Sequence, residues 1–280
     1  MRLLAILGWL LAFLAQPAAA ASSPELNGLE QQLAALVAGR SGEFGIAALD
    51  LSTGKAVSIN GNEPFPMAST VKVAVAAAYL TQVDYGRRTL EQRIGGRSAY
   101  SLMEAMLIHS DNYATDLLIR NLGGPKTVQQ WISWHGLSGI SVDRTIAQLL
   151  RDRRDLRDRR DSSTPLAMIE LLRKIETGKV LKPQSRSFLQ TLMARCITGR
   201  NRIRALLPPG TKVENKTGTL SGLTDDIGFI TLPDGRRIAV AIFARGGSNR
   251  PGTIAQAART IYDGFVASFR YPFSTALTAR

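Results

Sequence analysis

Three short strings carry side chains that can do chemistry together: Ser69-Thr70-Val71-Lys72, Ser110-Asp111-Asn112 and Lys216-Thr217-Gly218. The first sets a hydroxyl three residues ahead of an amine. On a helix those two side chains share a face. A serine at a helix start also meets free N–H groups and the positive end of the helix dipole, which favour developing negative charge. An amine buried beside it loses its proton more easily and can then accept the serine's. The second string adds another hydroxyl and an amide. The third adds a cation and a hydroxyl for a carboxylate, and a glycine where a substrate backbone must approach. Together they equip a serine acyl-transfer centre acting on a cyclic or peptidic amide next to a carboxylate.

Each string alone is weak. A Ser-x-x-Lys match arises by chance about once in a chain of this length. Ser69 can be a plain helix cap and Lys72 a surface residue, and Ser-Asp-Asn is ordinary turn composition. Against the plain reading, Lys72 is the only charge between Ser69 and Leu80. An isolated charge in a buried helix has a partner or a task.

The elements that must position these strings follow from hydrophobic spacing. Apolar residues at Leu26, Leu29, Leu33, Leu36 and Val37 predict an amphipathic helix. Strand-like runs at 44–51 and 55–60 flank Ser52-Thr53-Gly54, a hairpin signal. Residues 69–80, rich in Ala and Val, predict a buried helix. Residues 100–122 read as helical with a break at Asp111-Asn112. Gly123-Gly124-Pro125 then starts another helix over 126–135. Helices are predicted over 164–176, 183–197 and 253–269, and strands over 212–216, 227–232 and 238–244, with Lys216 at a strand end or edge. Pro233-Asp234-Gly235 turns between the last two strands. The fold class is therefore mixed α/β (α+β): one antiparallel sheet from both chain ends, flanked by terminal helices, with an all-helical insertion. The implied division is 22–65 with 205–280 for the sheet part and 66–204 for the helical part, the site lying between them.

Composition narrows the class. The chain has 280 residues, 45% of them hydrophobic, which is enough for a sizeable core. Arg2, the apolar run 3–14 and Ala18-Ala19-Ala20-Ala21 form a secretory signal-peptide pattern over 1–21. Its apolar run is shorter than the ~20 residues of a spanning helix, so a secreted, periplasmic or extracytoplasmic protein with no integral membrane segment in the mature chain is expected. Cys196, placed by spacing in the helix at 188–197, is the only cysteine, which rules out an intrachain disulfide. His109 and His135 are too scattered for a metal site, and no metal or other cofactor is expected. The formal charge of +13 becomes +12 without Arg2. Export argues against a nucleic-acid partner and for an anionic wall or membrane surface. The stretch 151–161 alternates Arg and Asp; it reads as a self-paired solvated loop, with pairs such as Asp155–Arg159, or as a basic lip over the site.

With the three strings in order, 41 and 106 residues apart, the chain resembles class A β-lactamases and their penicillin-recognising relatives over residues 26–269. Asn121-Leu122-Gly123-Gly124-Pro125, Leu166-Ala167-Met168 and Thr224-Asp225-Asp226-Ile227 also match. The resemblance implies a β-lactamase/transpeptidase-like fold. It implies that Ser69 is the acylated nucleophile, Lys72 its proton acceptor and Ser110 the relay to the leaving nitrogen. It further implies that Asn112 holds the substrate amide, that Lys216, Thr217 and Gly218 serve the carboxylate end, and that Ser69 and Thr219 supply oxyanion-hole N–H groups. Arg202 matches a second carboxylate-binding arginine, and Asp161 matches the acid that closes a loop on Arg144.

Two departures stand out. The family places Glu-x-x-Leu-Asn after Asp-Arg, and that Glu deprotonates the water that frees the acylated serine. Here Asp143-Arg144-Thr145 leads into Ile146-Ala147-Gln148-Leu149-Leu150. Ile146 stands in the place of Glu and Leu150 in the place of Asn. Asp152, Asp155 and Asp158 are the candidates for a substitute base. The span between Ser69 and Ser110 is also short, which predicts a pocket wall cut back toward an open groove. The expectation is a serine hydrolase, DD-peptidase-like, acting on D-Ala-D-Ala peptidoglycan stem peptides and acylated by β-lactams. It is expected to be a monomer. The alternatives are a β-lactamase with an unusual deacylation route and a non-catalytic wall-binding or sensor protein.

Overall fold

The structure is a computed structural model that describes residues 24–152 and 155–270. The signal-peptide pattern at 1–21 lies outside them. A five-stranded antiparallel sheet forms the frame, in the order β2-β1-β9-β8-β7. Its strands are β1 (Glu43–Asp50), β2 (Ala56–Ile59), β7 (Val213–Leu220), β8 (Leu223–Thr231) and β9 (Arg237–Arg245). Both sheet faces are covered, so the central strand β9 reads as a nearly continuous apolar run and still sorts by a period of two. On β9, Ile238, Val240, Ile242 and Ala244 face one core, while Ala239, Ala241 and Phe243 face the other. The first core is closed by α1 (Asn27–Ala38) and α9 (Arg250–Arg270) through Leu29, Leu33, Ile254, Ile261 and Phe265. The terminal helices thus pack on one face, as the spacing predicts.

The second core joins the opposite face to the helices between β2 and β7. These are α2 (Lys72–Asp84), α3 (Ala99–Ile108), α4 (Asn112–Leu122), α5 (Pro125–Trp134), α6 (Ile146–Arg151), α7 (Pro165–Glu176) and α8 (Pro183–Ala194). From Lys72 to Thr81 every residue of α2 is buried. This helix is apolar all round because neighbours enclose it on all sides. Short pairings complete the chain: β3 (Phe65–Pro66) with β6 (Ser162–Ser163), and β4 (Arg93–Ile94) with β5 (Arg97–Ser98). Among the described residues no helix is long and apolar enough to cross a membrane.

Three local expectations need correction. Lys216-Thr217-Gly218 lies inside β7, not at its end, because the strand runs on through Thr219↔Thr224 and Leu220↔Leu223; β7 is the sheet's edge strand. Cys196 lies two residues beyond α8, which stops at Ala194. The loop pairs also differ. Asp155 accepts the Arg157 N–H at 2.8 Å, Asp158 holds Arg160, and Arg157 reaches out to Glu43.

Candidate active site

Ser69 opens the site from a 3₁₀ turn, Ala68–Val71, that leads directly into α2. It is not a helix cap: neither that turn nor α2 has a side-chain cap. The turn begins at Ala68, whose φ of +45° is left-handed. For a residue with a Cβ that costs about 1 kcal/mol and needs surrounding structure to enforce it. Edge strand β7 supplies the constraint. A Cβ on Gly218 would lie 2.7 Å from the Met67 carbonyl oxygen and 3.2 Å from the Ala68 Cβ. The glycine therefore admits the turn that carries Ser69 against the strand, a reason for glycine separate from the substrate approach expected of it.

Ser110-Asp111-Asn112 is built by capping. The Asp111 carboxylate accepts the Ala114 N–H at 2.6 Å and starts α4, a contact worth ~1 kcal/mol. Ser110 before it is left-handed, with φ +61°, and Asn112 follows as the first helical residue. That geometry brings both flanking residues to one amine. Lys72 Nζ donates to the Ser110 carbonyl at 2.6 Å, to Ser110 Oγ at 3.2 Å and to Asn112 Oδ1 at 2.8 Å. Lys216 Nζ donates to the same Ser110 Oγ at 2.9 Å, and to the Thr217 carbonyl at 2.9 Å. A hydroxyl oxygen that accepts from two amines has both lone pairs occupied, so its O–H is free to donate outward.

The electrostatics follow from burial. Lys72 is fully buried. Desolvation, and then the Lys216 cation, lower its pKa to about 7, while Asp111 and Asp116 act the other way. An amine in that range exists in appreciable neutral fraction at neutral pH and can accept a proton. Lys216 is lowered to about 8, mainly by burial.

Beside these amines, β7 meets the 196–204 segment. Thr217 Oγ1 lies 2.6 Å from Thr198 Oγ1. Arg202 donates to the Gly218 carbonyl at 2.9 Å, the Asp225 carbonyl at 2.8 Å and Thr219 Oγ1 at 2.7 Å. Sequence reasoning missed Thr198, because nothing local marks a threonine whose partner is 19 residues away. It also gave no role to Asp225 and Asp226, both fully buried. Asp226 accepts from the Asn215 amide at 2.8 Å and the Ile203 N–H at 3.2 Å. Burial pushes it up to about 6. Asp225 accepts only a long contact from the Ala244 N–H at 3.4 Å, its Oδ2 lacks a partner, and burial holds it well above the usual carboxylate range.

Ile146 stands at the first turn of α6, 5% exposed, while Leu150 on the same helix is 49% exposed. The helix begins with a capping box between Thr145 and Gln148. Its first two N–H groups, from Ile146 and Ala147, go to the Asp116 carboxylate at 2.7 and 2.9 Å. The loop that follows closes as expected. Arg144 Nε donates to Asp161 at 2.6 Å, and Asp161 also accepts the Asp143 and Arg144 N–H groups at 2.8 and 3.0 Å. Asp152 and Asp158 are bound to Arg144 as well. With Asp155 on the Arg157 N–H, all three candidate substitute bases are engaged inside the loop. Among the described residues no group of three or more His, Cys, Asp and Glu side chains forms a metal-binding cluster.

A family model described as "Beta-lactamase enzyme family" matches residues 28–265. The extended-spectrum β-lactamase PER-1 of Pseudomonas aeruginosa is 31% identical, over 84% of this chain and 86% of its own length. β-Lactamase CTX-M-8 of Citrobacter amalonaticus is 32% identical, over 86% and 90%. Among solved structures, a variant of the reconstructed last common ancestor of Gram-negative class A β-lactamases superposes with a TM-score of 0.81 at 33% identity. That match covers 86% of this chain and 99% of the other. A sheet of this order, two lysines meeting on one hydroxyl and relatives matched along nearly their whole length lead to one assignment: the chain belongs to the β-lactamase enzyme family, with the class A fold.

Proposed function

We propose that this protein is a serine hydrolase, DD-peptidase-like in character, that acylates Ser69 with D-Ala-D-Ala-type amides and with β-lactams and releases the acyl group slowly. In the acylation step Ser69 Oγ attacks the amide carbonyl carbon and its proton passes to neutral Lys72. The C–N bond then breaks. Ser110, whose free O–H faces outward, protonates the leaving nitrogen and is reprotonated from Lys72. Asn112 holds the substrate amide. Lys216 and Thr217 hold the carboxylate, Thr219 and Ser69 offer oxyanion-hole N–H groups, and Arg202 fixes Thr219. A stem-peptide terminus and a penicillin both present an amide beside a carboxylate, so one site serves both.

The observation that carries this reading is Ile146. Water attack on the ester needs a positioned base, and loss of one costs ~10²–10⁴ in rate. Ile146 offers none, and the nearby loop aspartates are held by Arg144 and backbone N–H groups. A monomer acting outside the cytoplasm, in keeping with the N-terminal pattern of the sequence, belongs to the same reading. The relatives' names favour a second reading, a β-lactamase with another deacylation route. Nitrocefin separates the two: a burst of one equivalent supports slow release, and hundreds of turnovers per site support the second. A protein that forms no covalent adduct with excess penicillin would be the wall-binding or sensor alternative.

A further inference from the structure

Cys196 and Thr198 have no part in the steps above, yet their side chains stand in a row with Thr217. Cys196 Sγ lies 3.2 Å from Thr198 Oγ1, and that oxygen lies 2.6 Å from Thr217 Oγ1. Cys196 and Thr217 are both buried. The backbone fixes the row: the Cys196 N–H donates to the Met193 carbonyl and the Ile197 N–H to the Ile108 carbonyl, both at 3.2 Å. Gly199, with φ +63°, lets the row close on β7, for a Cβ there would stand 2.5 Å from Thr217 Cγ2 and 3.2 Å from Arg202 Nε. That Nε, on a side chain 8% exposed, is a buried donor without a partner. An unsatisfied cationic N–H beside a row of hydroxyls suits an acceptor oxygen on a ligand.

Each hydroxyl has one hydrogen to give. Only one hydrogen can lie between Thr198 and Thr217, and its direction decides what Thr217 offers. If Thr217 donates to Thr198, it turns only lone pairs toward a substrate carboxylate. If Thr198 donates to Thr217, the Thr217 hydrogen is free for that carboxylate. Oxygen accepts better than sulfur, so the Thr198 hydrogen goes to Thr217 and the thiol hydrogen goes to Thr198. We propose that Cys196 is a positioning residue: its S–H donates to Thr198, which donates to Thr217, so that Thr217 presents a hydrogen to the carboxylate of the substrate. The inference rests on the reading that Thr217 holds that carboxylate.

The test measures, by intact mass, the rate of Ser69 acylation by a penicillin and by its methyl ester. The proteins are wild type, Cys196→Ala, Cys196→Ser, Thr198→Val and the Cys196→Ala/Thr198→Val double variant. The ester has no carboxylate anion to bind. Cys196→Ala lacks a donor and slows acylation by the free acid about tenfold, the size of one weakened hydrogen bond to a charged group. It leaves the ester within about twofold. Cys196→Ser keeps a donor and stays within about threefold of wild type on both. Adding Cys196→Ala to Thr198→Val costs nothing more, because the row is already broken. A packing role alone would slow acid and ester alike and would add to Thr198→Val. Equal losses on acid and ester, a Cys196→Ser as slow as Cys196→Ala, or additive losses overturn the proposal. If the wild type does not take the ester, the double-variant cycle and the serine variant decide by the same criteria. If Cys196→Ala does not fold, Cys196→Val takes its place. A wild type that forms no Ser69 adduct overturns this proposal together with the functional reading; a Cys196→Ala that forms the adduct at the wild-type rate overturns this proposal alone.

Discussion

On the proposed reading, Ile146 occupies the place of the base that frees the acylated serine, so Ile146→Glu restores a carboxylate there. A well-placed base is worth ~10²–10⁴ in rate, or about 3–5 kcal/mol of barrier. Three features of the site set where in that range the variant falls. The first is burial: Ile146 is 5% exposed, so losing the isoleucine costs about 1–3 kcal/mol of folding stability. The second is the Asp116 carboxylate, which binds this residue's own N–H at 2.7 Å. A like charge held on this residue's own backbone raises the new acid and weakens its ionised fraction near neutral pH. The third is Leu150, which on the same reading takes the place of a polar side chain that would help to hold the attacking water. The low end follows: the half-life of the penicillin adduct falls about 100-fold in Ile146→Glu, while acylation stays within about threefold, because Lys72 and Ser110 are untouched. Intact mass spectrometry after removal of free penicillin reads the adduct's decay directly. An unchanged lifetime in a folded variant would refute the placement of Ile146 at the deacylation position.

Other perturbations test other parts of the site. Asp225→Asn removes a buried acid held neutral by desolvation and short of one partner. In the unfolded chain this acid ionises above the ordinary aspartate value of 3.8, so the wild type carries a penalty that grows with pH above that point. The variant should therefore melt higher at neutral and mildly alkaline pH, by about 1–3 kcal/mol, and match wild type below the unfolded chain's value; equal melting in both ranges would contradict the neutral acid. Gly218→Ala forces a Cβ to 2.7 Å from the Met67 carbonyl. It should lower stability by ~1–3 kcal/mol and slow acylation at least tenfold by displacing Ser69, and a variant that acylates at the wild-type rate would remove glycine's role there. Asp161→Asn keeps a residue tolerant of the left-handed φ of +52°, but it turns an amide toward donors that all need an acceptor. Denaturant unfolding should show a loss of about 2–3 kcal/mol; a loss under about 0.5 kcal/mol, the size of an ordinary surface substitution, would mean that the loop is held elsewhere.

Much of the fold is legible in the sequence because its helices are long and periodic. The α3–α4 break is readable from Asp111, a strong cap residue, and α1 and α9 from their apolar stripes. What is not legible depends on partners far along the chain. The two-residue pairings of β3 with β6 and β4 with β5 have no pattern of their own. Helix α6 is only six residues long, too short for a periodic signal. Gly218 looks like a strand terminator, yet β8 pairs past it as far as Leu220. The site shows the same division. Lys72, isolated in an apolar helix, announces itself. Asp116 does not, because its partners are backbone N–H groups 30 and 31 residues away.

The functional reading comes down to a site that loads Ser69 and lacks the base to unload it. A time course of intact mass on wild-type protein with excess penicillin, followed by peptide mapping, decides whether that is so. The expected result is one equivalent of adduct on the Ser69 peptide that persists over many minutes and is lost in Ser69→Ala. Free enzyme with hydrolysed penicillin accumulating over hundreds of cycles, or an adduct on any other residue, would contradict it.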